Sequence, residues 1–288
     1  MLIEEIINYL NPKDIAVMRI IEGLRTAFKY VPVSKIKDRL GYKNKNLLKE
    51  ALNKLNKLEL IEHKYMKEED AYRLRSMAYE VLAFWDLKKQ GVIKKILRIV
   101  GIGKEAKVYL TLSYNEEPLI AKVHLYSGQE FIHIKRSFAF LSVKWRAKQL
   151  NKFDFEIDIP RAKAQIEAIV LNKLKDYNVP EFITLNRNIV VMEMIGEKEP
   201  AQPLQKIKIA DKESARLLKE DILEHYTKIY EKEGIIHGDL SPNNILFSDT
   251  FYIIDWPQAI PKESEFSKEI FDRDIGNIEN YFKRKYKI

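Results

Sequence analysis

Apolar residues recur at helical spacing through the first 85 residues and then give way to short alternating runs. The predicted helices span about 14–29, 34–40, 44–57 and a stretch from residue 76 onward. Asp14 and Ser34 are the predicted N-caps, and Gly41 ends the second helix. Strands at 60–65 and 71–74 flank a charged turn. Helix, helix, turn, helix and a two-stranded wing is the order of a winged helix-turn-helix, so residues 1–85 are predicted to form such a domain.

The third predicted helix and the turn before it carry several cations, which include Lys43, Lys45 and Lys49. The recognition helix of a winged helix normally enters a nucleic-acid groove, so this face is a candidate RNA or DNA surface. Further cations follow on the helix and the wing: Lys54, Lys57, His63, Lys64 and Lys67. A Lys-rich solvated face on a protein-docking module is the alternative interpretation.

A second segment, residues 86–195, begins with an apolar run at 92–100 that predicts a strand, followed by GIGKEAKVYL. Gly101 and Gly103 let a backbone approach a phosphate closely, and Lys104 adds positive charge. The loop is not a Walker A loop, because no GK[ST] sequence opens a helix. A tight hairpin would explain the two glycines equally well. The phosphate-binding interpretation is strengthened only by the position of this loop upstream of the Asp239 loop.

Lys122 lies among apolar residues of a predicted strand in the sequence PLIAKVHLY. A lysine buried on a strand requires a partner, and contact with a nucleotide phosphate is one reason for such a residue. Pro160 is predicted to open a helix that runs to about Tyr177 and carries Glu167, the favoured ion-pair partner of Lys122. Glu105 in the glycine-containing loop is a competing partner.

The run IVVMEMI, residues 189–195, is predicted to be a buried strand that leads into Gly196. Such a strand can end as a hinge whose backbone at Glu193 and Ile195 hydrogen-bonds adenine. Between these elements, residues 127–155 are basic, polar and aromatic, and we expect a mobile or partly helical insertion there. Its serines Ser127, Ser137 and Ser142 are candidate autophosphorylation sites.

The stretch IIHGDLSPNNILFSDTFYIIDWPQA, residues 235–259, carries the most specific chemistry. Asp239 and Asn244 lie on a loop that contains Pro242, and a short apolar strand delivers Asp255 to its end. Phosphoryl transfer from ATP requires a carboxylate that accepts the proton of the attacking hydroxyl. It also requires an amide oxygen and a second carboxylate that hold Mg²⁺ against the phosphates. These three residues supply that set in that order.

Charge and composition add little to this picture. The net charge of +8 favours a polyanionic partner, although lysine and glutamate are both abundant. The chain has no cysteine, which excludes disulfides and thiolate metal sites and is compatible with the cytoplasm. No apolar run approaches the roughly 18 residues of a membrane span.

Together these motifs resemble, over essentially the whole chain, the RIO family of atypical protein kinases and in particular its winged-helix branch, type two. The sequences DWPQA from Asp255 and RDIGNIENYF from Arg273 are the most specific elements. The resemblance implies an α+β fold, with an N-terminal winged helix-turn-helix followed by a compact bilobal protein-kinase-like fold. Residues 86–195 would form its N-lobe and residues 196–288 a short C-lobe.

The resemblance also implies roles for individual residues. Asp239 would be the catalytic base, Asn244 and Asp255 would bind Mg²⁺ or Mn²⁺, and Lys122 would bind the α- and β-phosphates of ATP. The remaining nucleotide contacts would come from Gly101, Gly103, Lys104, Glu105, Glu193 and Ile195.

As function, the resemblance implies serine/threonine phosphorylation, autophosphorylation and maturation of the small ribosomal subunit or its rRNA. An ATPase cycle that passes through a phosphoaspartate at Asp255 is also implied. Two departures stand out: Trp256 replaces the usual Phe after the metal-binding Asp, and Ala106 and Lys107 replace Ser-Asp in the phosphate loop.

Two other functions stay open. A small-molecule phosphotransferase of the aminoglycoside or choline type shares HGDLSPNNILF and IIDW, but the winged helix and the short C-terminal region speak against it. A nucleotide-switched, RNA-binding assembly factor with little transfer activity is the other.

Overall fold

The computed structural model describes residues 2–41, 45–126, 137–141 and 154–288. The chain divides into two compact units, Met1–Leu97 with Thr111–Glu117 and Arg98–Leu110 with Pro118–Ile288. Most of the predicted insertion at 127–155 lies outside the described residues, as do Lys43, Ser127 and Ser142. Across the described ranges, no helix combines the length and the apolar character needed to cross a bilayer.

The first unit is a helical bundle with a small three-stranded sheet. Its helices are α1 (Ile3–Tyr9), α2 (Pro12–Leu24), α3 (Val33–Leu40), α4 (Lys45–Lys57) and α5 (Ser76–Lys89). Its strands are β1 (Val31–Pro32), β2 (Ile61–Met66) and β3 (Glu69–Leu74), in the order β1-β3-β2. The helices α2 to α4 and the β2–β3 wing confirm the predicted winged helix order. Helix α1 and strand β1 are additions that the apolar pattern did not predict.

The start of α2 corrects one prediction, because Asn11 and not Asp14 is the N-cap. The Asn11 side chain accepts the backbone N–H groups of Lys13 and Asp14, and the Asp14 carboxylate accepts the N–H of Asn11 at 2.9 Å. This reciprocal pair is a capping box, and Pro12 occupies the first helical position. The prediction failed because Asp14 is the second half of the box. Ser34 is likewise not a cap, since α3 begins one residue earlier.

The second unit is built around a five-stranded sheet with the order β4-β5-β6-β8-β7. The strands are β4 (Lys95–Ile102), β5 (Ala106–Leu112), β6 (Pro118–His124), β7 (Phe182–Asn186) and β8 (Ile189–Glu193). Strands β6 and β8 are antiparallel, and Lys122 lies opposite Val190. Helix α6 (Phe155–Lys173) packs on β6, β7 and β8. The sheet and this helix therefore bring Lys122 and Glu167 to one place.

Helix α6 begins five residues before Pro160, which corrects the predicted start. The Asp154 carboxylate accepts the N–H of Glu156, and the Asp158 carboxylate accepts the N–H of Asp154 at 2.9 Å. These two contacts cap the helix end. Pro160 lies inside the second turn, where it removes a single backbone hydrogen bond close to the helix start. The cap therefore outweighs the local cost of the proline.

The remaining elements surround the stretch 235–259. They are β9 (Gln202–Pro203), α7 (Lys212–Lys228), a π-helical turn (Ile229–Glu233), β10 (Ile235–Ile236), a 3₁₀ turn (Pro242–Asn244), β11 (Ile245–Phe247), β12 (Phe251–Ile253), β13 (Ile260–Pro261) and α8 (Ser267–Tyr286). The strands pair as β12-β11-β9 and β10-β13. Helix α7 begins at Lys212, where the carboxylate of the N-cap residue Asp211 accepts the Ser214 N–H at 2.8 Å. Buried apolar side chains of α7 and α8 share one core with Leu240 and Trp256, the residues that follow Asp239 and Asp255.

Candidate active site

A cleft of about 980 Å³ opens in the second unit. Its walls include both predicted catalytic carboxylates, Asp239 and Asp255. All the predicted nucleotide contacts line it as well: Gly101, Gly103, Lys104, Glu105, Lys122, Glu193 and Ile195. Of the ten predicted site residues, Asn244 is the one that does not line the cleft, whereas its neighbour Asn243 does. The structure therefore brings together residues that are up to 154 positions apart in the chain, from Gly101 to Asp255.

The ammonium group of Lys122 joins two carboxylates at the centre of the cleft. Its Nζ lies 2.6 Å from Glu167 Oε1 and 2.5 Å from Asp255 Oδ1. Burial alone would lower the pKa of Lys122, but the two carboxylates outweigh it and raise that pKa above its usual value. Lys122 therefore stays charged. The predicted Lys122–Glu167 pair is confirmed, and Glu105 instead contacts Lys163, with Oε2 2.9 Å from Nζ.

Glu167 is held from three sides. Its Oε1 accepts Lys122 and the N–H of Trp256 (3.3 Å), and its Oε2 lies 2.7 Å from His124 Nε2. Burial raises the pKa of Glu167, but the attraction of Lys122 outweighs it and lowers the pKa to about 2. Burial also lowers the pKa of His124 more than Glu167 raises it. A neutral His124 that donates its Nε2–H to Glu167 satisfies both groups.

His124 is a contributor that the sequence reasoning missed. It follows Lys122 by two residues on β6, so both side chains lie on the same face of the strand. That spacing was the available signal. His124 lines the cleft and supports the partner of Lys122 instead of Lys122 itself.

The loop after β10 presents Asp239. The Nδ2 group of Asn244 donates to the Asp239 carbonyl oxygen at 2.8 Å, which leaves the amide oxygen of Asn244 for another partner. The Asp239 side chain is exposed in the open cleft, yet the protein around it partly removes its hydration and raises its pKa. The charges of Asp255 and Asp274 act in the same direction, whereas His237 and Arg273 oppose it.

His237 fixes the backbone on both sides of the site. Its Nε2 lies 2.9 Å from the Ile254 carbonyl oxygen, and its Nδ1 accepts the N–H of Asp239 at 3.2 Å. These two bonds require the tautomer protonated at Nε2. The ring packs on Trp256, with 4.5 Å between centroids, and the Trp256 indole donates to the Ile253 carbonyl at 3.0 Å. The residue that replaces the family's usual Phe is thus fully accommodated.

Asp274 on α8 is a second residue that sequence reasoning did not single out. Its buried carboxylate accepts the N–H of Gly238 (2.8 Å) and the hydroxyl of Tyr226 (2.9 Å). The Tyr226 oxygen in turn accepts the N–H of His237 at 3.0 Å. Asp274 therefore holds the backbone next to Asp239 in place. Its position in the RDIGNIENYF sequence was the only signal.

Two glycines are required by backbone shape at the site. Gly238 has φ +81°, and a Cβ there would lie 2.4 Å from the Gln258 carbonyl oxygen. Gly196, just after the hinge strand, has φ +122°, and a Cβ would lie 2.3 Å from the Glu199 carbonyl oxygen. Asp255 itself has φ +72°, an unusual conformation for a residue with a side chain. Such backbone geometry is typical of functional sites.

The oxygen donors of Asp255 and Asn244 fit a divalent cation only if a bound nucleotide and water complete its coordination. Within the described residues, no group of three His, Cys, Asp or Glu side chains is placed to hold a metal ion alone. Asp255 and the amide oxygen of Asn244 offer hard oxygen donors, and Mg²⁺ commonly combines one or two carboxylates with phosphate oxygens and water. The site therefore fits Mg²⁺ bound together with a nucleotide.

The candidate nucleic-acid surface is only partly described. Lys43 and the side chain of Lys45 lie outside the described residues, and Lys49 is exposed on α4. Lys54 turns inward, with Nζ 2.7 Å from both Asp14 Oδ2 and the Tyr9 carbonyl oxygen. Exposed cations on α4 and the wing are Lys49, Lys57, Lys64 and Lys67.

Comparison with known proteins gives two family matches. The RIO domain family matches residues 107–288, and the family described as Rio2, N-terminal, matches residues 7–90. The RIO-type serine/threonine-protein kinase Rio2 of Methanocaldococcus jannaschii is 33% identical over 263 residues, which cover 90% of this chain and 92% of that protein. The serine/threonine-protein kinase RIO2 of Saccharomyces cerevisiae is 27% identical, and the match covers 97% of this chain and 65% of the yeast protein.

Among solved structures, the Rio2 kinase-ADP/Mg²⁺-phosphoaspartate complex from Chaetomium thermophilum has a TM-score of 0.82 at 23% identity. The alignment covers 99% of this chain and 84% of that chain. This likeness confirms the predicted α+β fold with a winged helix and a kinase-like region. Both family matches and the archaeal relative agree with it, and the chain belongs to the RIO family of atypical serine/threonine-protein kinases, as a member of its Rio2 type.

Proposed function

We propose that this protein is an ATP- and Mg²⁺-dependent serine/threonine kinase or ATPase that acts in the maturation of the small ribosomal subunit. The observation that carries the catalytic part is the cleft in which Lys122 joins Glu167 and Asp255 beside Asp239. Phosphoryl transfer depends on positioning and on charge stabilisation more than on covalent chemistry from the protein. The ammonium group of Lys122, held between Glu167 and Asp255, supplies both the positioning and the positive charge.

ATP is proposed to lie with its phosphates under the loop of Gly101, Gly103 and Lys104. Lys122 then contacts the α- and β-phosphates. The adenine meets the backbone at Glu193 and Ile195, where the N–H of Ile195 serves as donor because its carbonyl oxygen already accepts the Ala201 N–H at 2.8 Å. In this arrangement residues 86–195 form one wall of the nucleotide site and residues 196–288 the other.

Asn244 and Asp255 are the proposed ligands of Mg²⁺, or of Mn²⁺ in its place. The bound ion supplies neutralisation of the phosphate charge. Asn244 presents its amide oxygen because its Nδ2 is occupied by the Asp239 carbonyl. Asp255 keeps Oδ2 for a further contact while Oδ1 bonds Lys122. The same two residues therefore need no rearrangement of their hydrogen bonds to meet a cation.

Asp239 is proposed to accept the proton of the attacking serine hydroxyl. Its carboxylate is exposed in the cleft, and its backbone is fixed by His237 and Asn244. General-base assistance of this kind contributes about 10²–10⁴-fold to a rate. The acceptor oxygen forms the bond to the γ-phosphorus, and the bond to the bridging oxygen breaks so that ADP leaves with its electron pair.

An ATPase cycle can use Asp255 in place of a serine. A carboxylate oxygen of Asp255 attacks the γ-phosphorus and ADP departs. Water then cleaves the resulting acyl phosphate to release phosphate and restore the carboxylate. The solved Chaetomium thermophilum relative is a Rio2 kinase-ADP/Mg²⁺-phosphoaspartate complex, which supports this route for the present chain. Asp255 is 41% exposed on its side chain and so is accessible to both ATP and water.

The winged helix is proposed to contact the pre-small ribosomal subunit or its rRNA through Lys43, Lys45 and Lys49. The net charge of +8 and the exposed cations of α4 and the wing favour contact with a phosphate backbone. Such a role places the protein in the cytoplasm. Binding of labelled rRNA should weaken by a similar factor for every RNA sequence in Lys49→Gln. A Lys54→Gln variant, whose lysine is internally paired, serves as the matched comparison.

The test of the catalytic proposal is a radiolabelled-ATP assay of the purified protein, with and without purified pre-small-subunit particles. Label on serine of the protein, or ATP hydrolysis stimulated by the particles, is the expected result. An Asp255→Ala variant should lose either activity. Turnover seen only after addition of aminosugars or small alcohols would instead favour a small-molecule phosphotransferase. Tight nucleotide binding without transfer under any condition would favour a nucleotide switch.

A further inference from the structure

Glu105, one of the predicted nucleotide contacts, forms an ion pair with Lys163 that this predicted role does not use. Glu105 Oε2 lies 2.9 Å from Lys163 Nζ, and the Lys163 side chain is 2% exposed whereas that of Glu105 is 44% exposed. Glu105 belongs to the phosphate loop and lines the cleft, and Lys163 belongs to α6. An ammonium group removed from water requires an anionic partner, because its desolvation is unfavourable. The buried lysine therefore holds the exposed end of the pair.

The loop is also fixed through its backbone around Glu105. The Glu105 carbonyl oxygen accepts the N–H of Leu125 at 2.7 Å, and the Gly103 N–H donates to the Ala106 carbonyl oxygen at 2.8 Å. These two backbone hydrogen bonds define the shape of the turn, but neither of them involves a side chain. The ion pair adds a side-chain link from the loop to helix α6.

Lys163 lies one helical turn before Glu167 on α6, at the spacing i, i+4 that places two side chains on one face. Glu167 holds Lys122 at 2.6 Å. One turn of α6 thus contacts both groups that are proposed to meet the nucleotide phosphates, the loop through Lys163 and the strand lysine through Glu167.

We propose that Lys163 is a positioning residue for the phosphate loop, and that it acts through Glu105 to set the grip on the phosphates of ATP. This inference rests on the proposed function of the cleft and deepens it. It predicts that loss of the pair weakens contacts to phosphates while contacts to adenine persist. Lys163 itself does not line the cleft.

The experiment compares binding of ATP and of adenosine to the full-length protein by titration calorimetry. Glu105→Gln, Lys163→Met and the double variant are measured with Mg²⁺ present. We expect each single variant to bind ATP about tenfold more weakly, the double variant to be no weaker than the singles, and adenosine affinity to be unchanged. In the kinetic assay the KM for ATP should rise by a similar factor while kcat stays within about twofold.

Lys173→Met on the same helix is the matched control, since its lysine is exposed and bonds only a surface turn through the Glu233 carbonyl among the contacts described. It should bind ATP as the wild type does. If Lys163→Met does not fold, Lys163→Gln takes its place, because Glu105 is itself a predicted nucleotide contact and Glu105→Gln alone does not separate positioning from direct contact. Unchanged ATP affinity in Glu105→Gln, or an equal loss for adenosine, would overturn the inference. Wild-type protein that does not bind ATP would overturn the proposed function as well.

Discussion

The Nζ of Lys122 lies 2.5 Å from Oδ1 of Asp255, although 133 positions separate the two residues in the chain. The bond connects a strand of the central sheet to the segment after β12 within one unit. Because Glu167 holds the same ammonium group and also accepts the N–H of Trp256, the position of Asp255 depends on helix α6. The carboxylate proposed to meet metal and phosphate is therefore ordered before either ligand arrives.

Removal of the proposed base should separate binding from chemistry. In Asp239→Asn, we expect phosphoryl transfer to fall about 10²–10⁴-fold while ATP affinity stays within a few-fold of the wild type, because Asp239 acts on the acceptor proton. Radiolabel transfer and nucleotide titration measure the two quantities. Asp249→Asn, an exposed aspartate in the same stretch, should leave both unchanged. Full transfer by Asp239→Asn would show that another group is the base.

The pH at which activity is lost on the acid side should depend on Arg273. Its guanidinium group lowers the pKa of Asp239, against the partial desolvation that raises it. In Arg273→Gln the pKa of Asp239 therefore rises, and the base is protonated at higher pH than in the wild type. The pH at which kcat falls to half on the acid side should move upward. Lys268→Gln, a lysine paired with Asp272 on the same helix, should leave the profile in place. An acid limb that stays fixed in Arg273→Gln would exclude this electrostatic contact.

Glu167 should contribute stability that acid removes. Its pKa is lowered from the ordinary 4.5 to about 2 in the folded protein, since Lys122 outweighs the effect of burial. A lowered folded-state pKa means that the contribution is complete above pH 4.5 and is lost as the pH falls toward 2. The free energy of unfolding should therefore decline less steeply across this window in Glu167→Gln than in the wild type. Urea unfolding at a series of pH values measures both slopes, and equal slopes would contradict the expectation.

Two glycines of the C-terminal half give opposite predictions. Gly238→Ala should lower the free energy of unfolding by about 1–3 kcal/mol and reduce transfer sharply, because φ +81° and the contact with Gln258 leave no room for a Cβ. Gly276→Ala should raise stability by about 0.5–1 kcal/mol, since it lies inside α8 and the added carbon would meet nothing within 4 Å apart from its chain neighbours and the backbone of its own helix. Thermal unfolding and the transfer assay compare the pair. A stable, active Gly238→Ala would contradict the geometry.

The helices and strands of the first unit and the cleft residues were largely predictable, because they depend on local pattern and on motifs with strong chemistry. Lys122 was visible as a charge inside an apolar strand, and Asp255 as a carboxylate after one. The start of α6 was not predictable in this way. Its cap uses Asp154 and Asp158, whereas Pro160 gave a stronger but misleading signal.

The supports of the site were harder to predict for a different reason. His124, Asp274 and Gly238 act through partners that are distant in the chain, and the motifs in which they lie do not indicate which partners those are. The Glu105–Lys163 pair is of the same kind. Local sequence predicts which groups can perform chemistry, whereas their anchors become visible only when the sheet and helices are assembled.

The contact between Gly238 and Asp274 has a consequence for biosynthesis. Asp274 follows Gly238 by 36 positions, and it reaches the loop that carries Asp239 only after α8 has been made. At roughly 5–20 residues per second, translation delivers this anchor about two to seven seconds after the loop itself. Once Asp255 has been made, the nascent chain carries every group proposed for transfer, but for 19 further positions it lacks the carboxylate that orders the backbone at Gly238. We therefore expect a ribosome-bound chain stalled before α8 to show no ATP turnover.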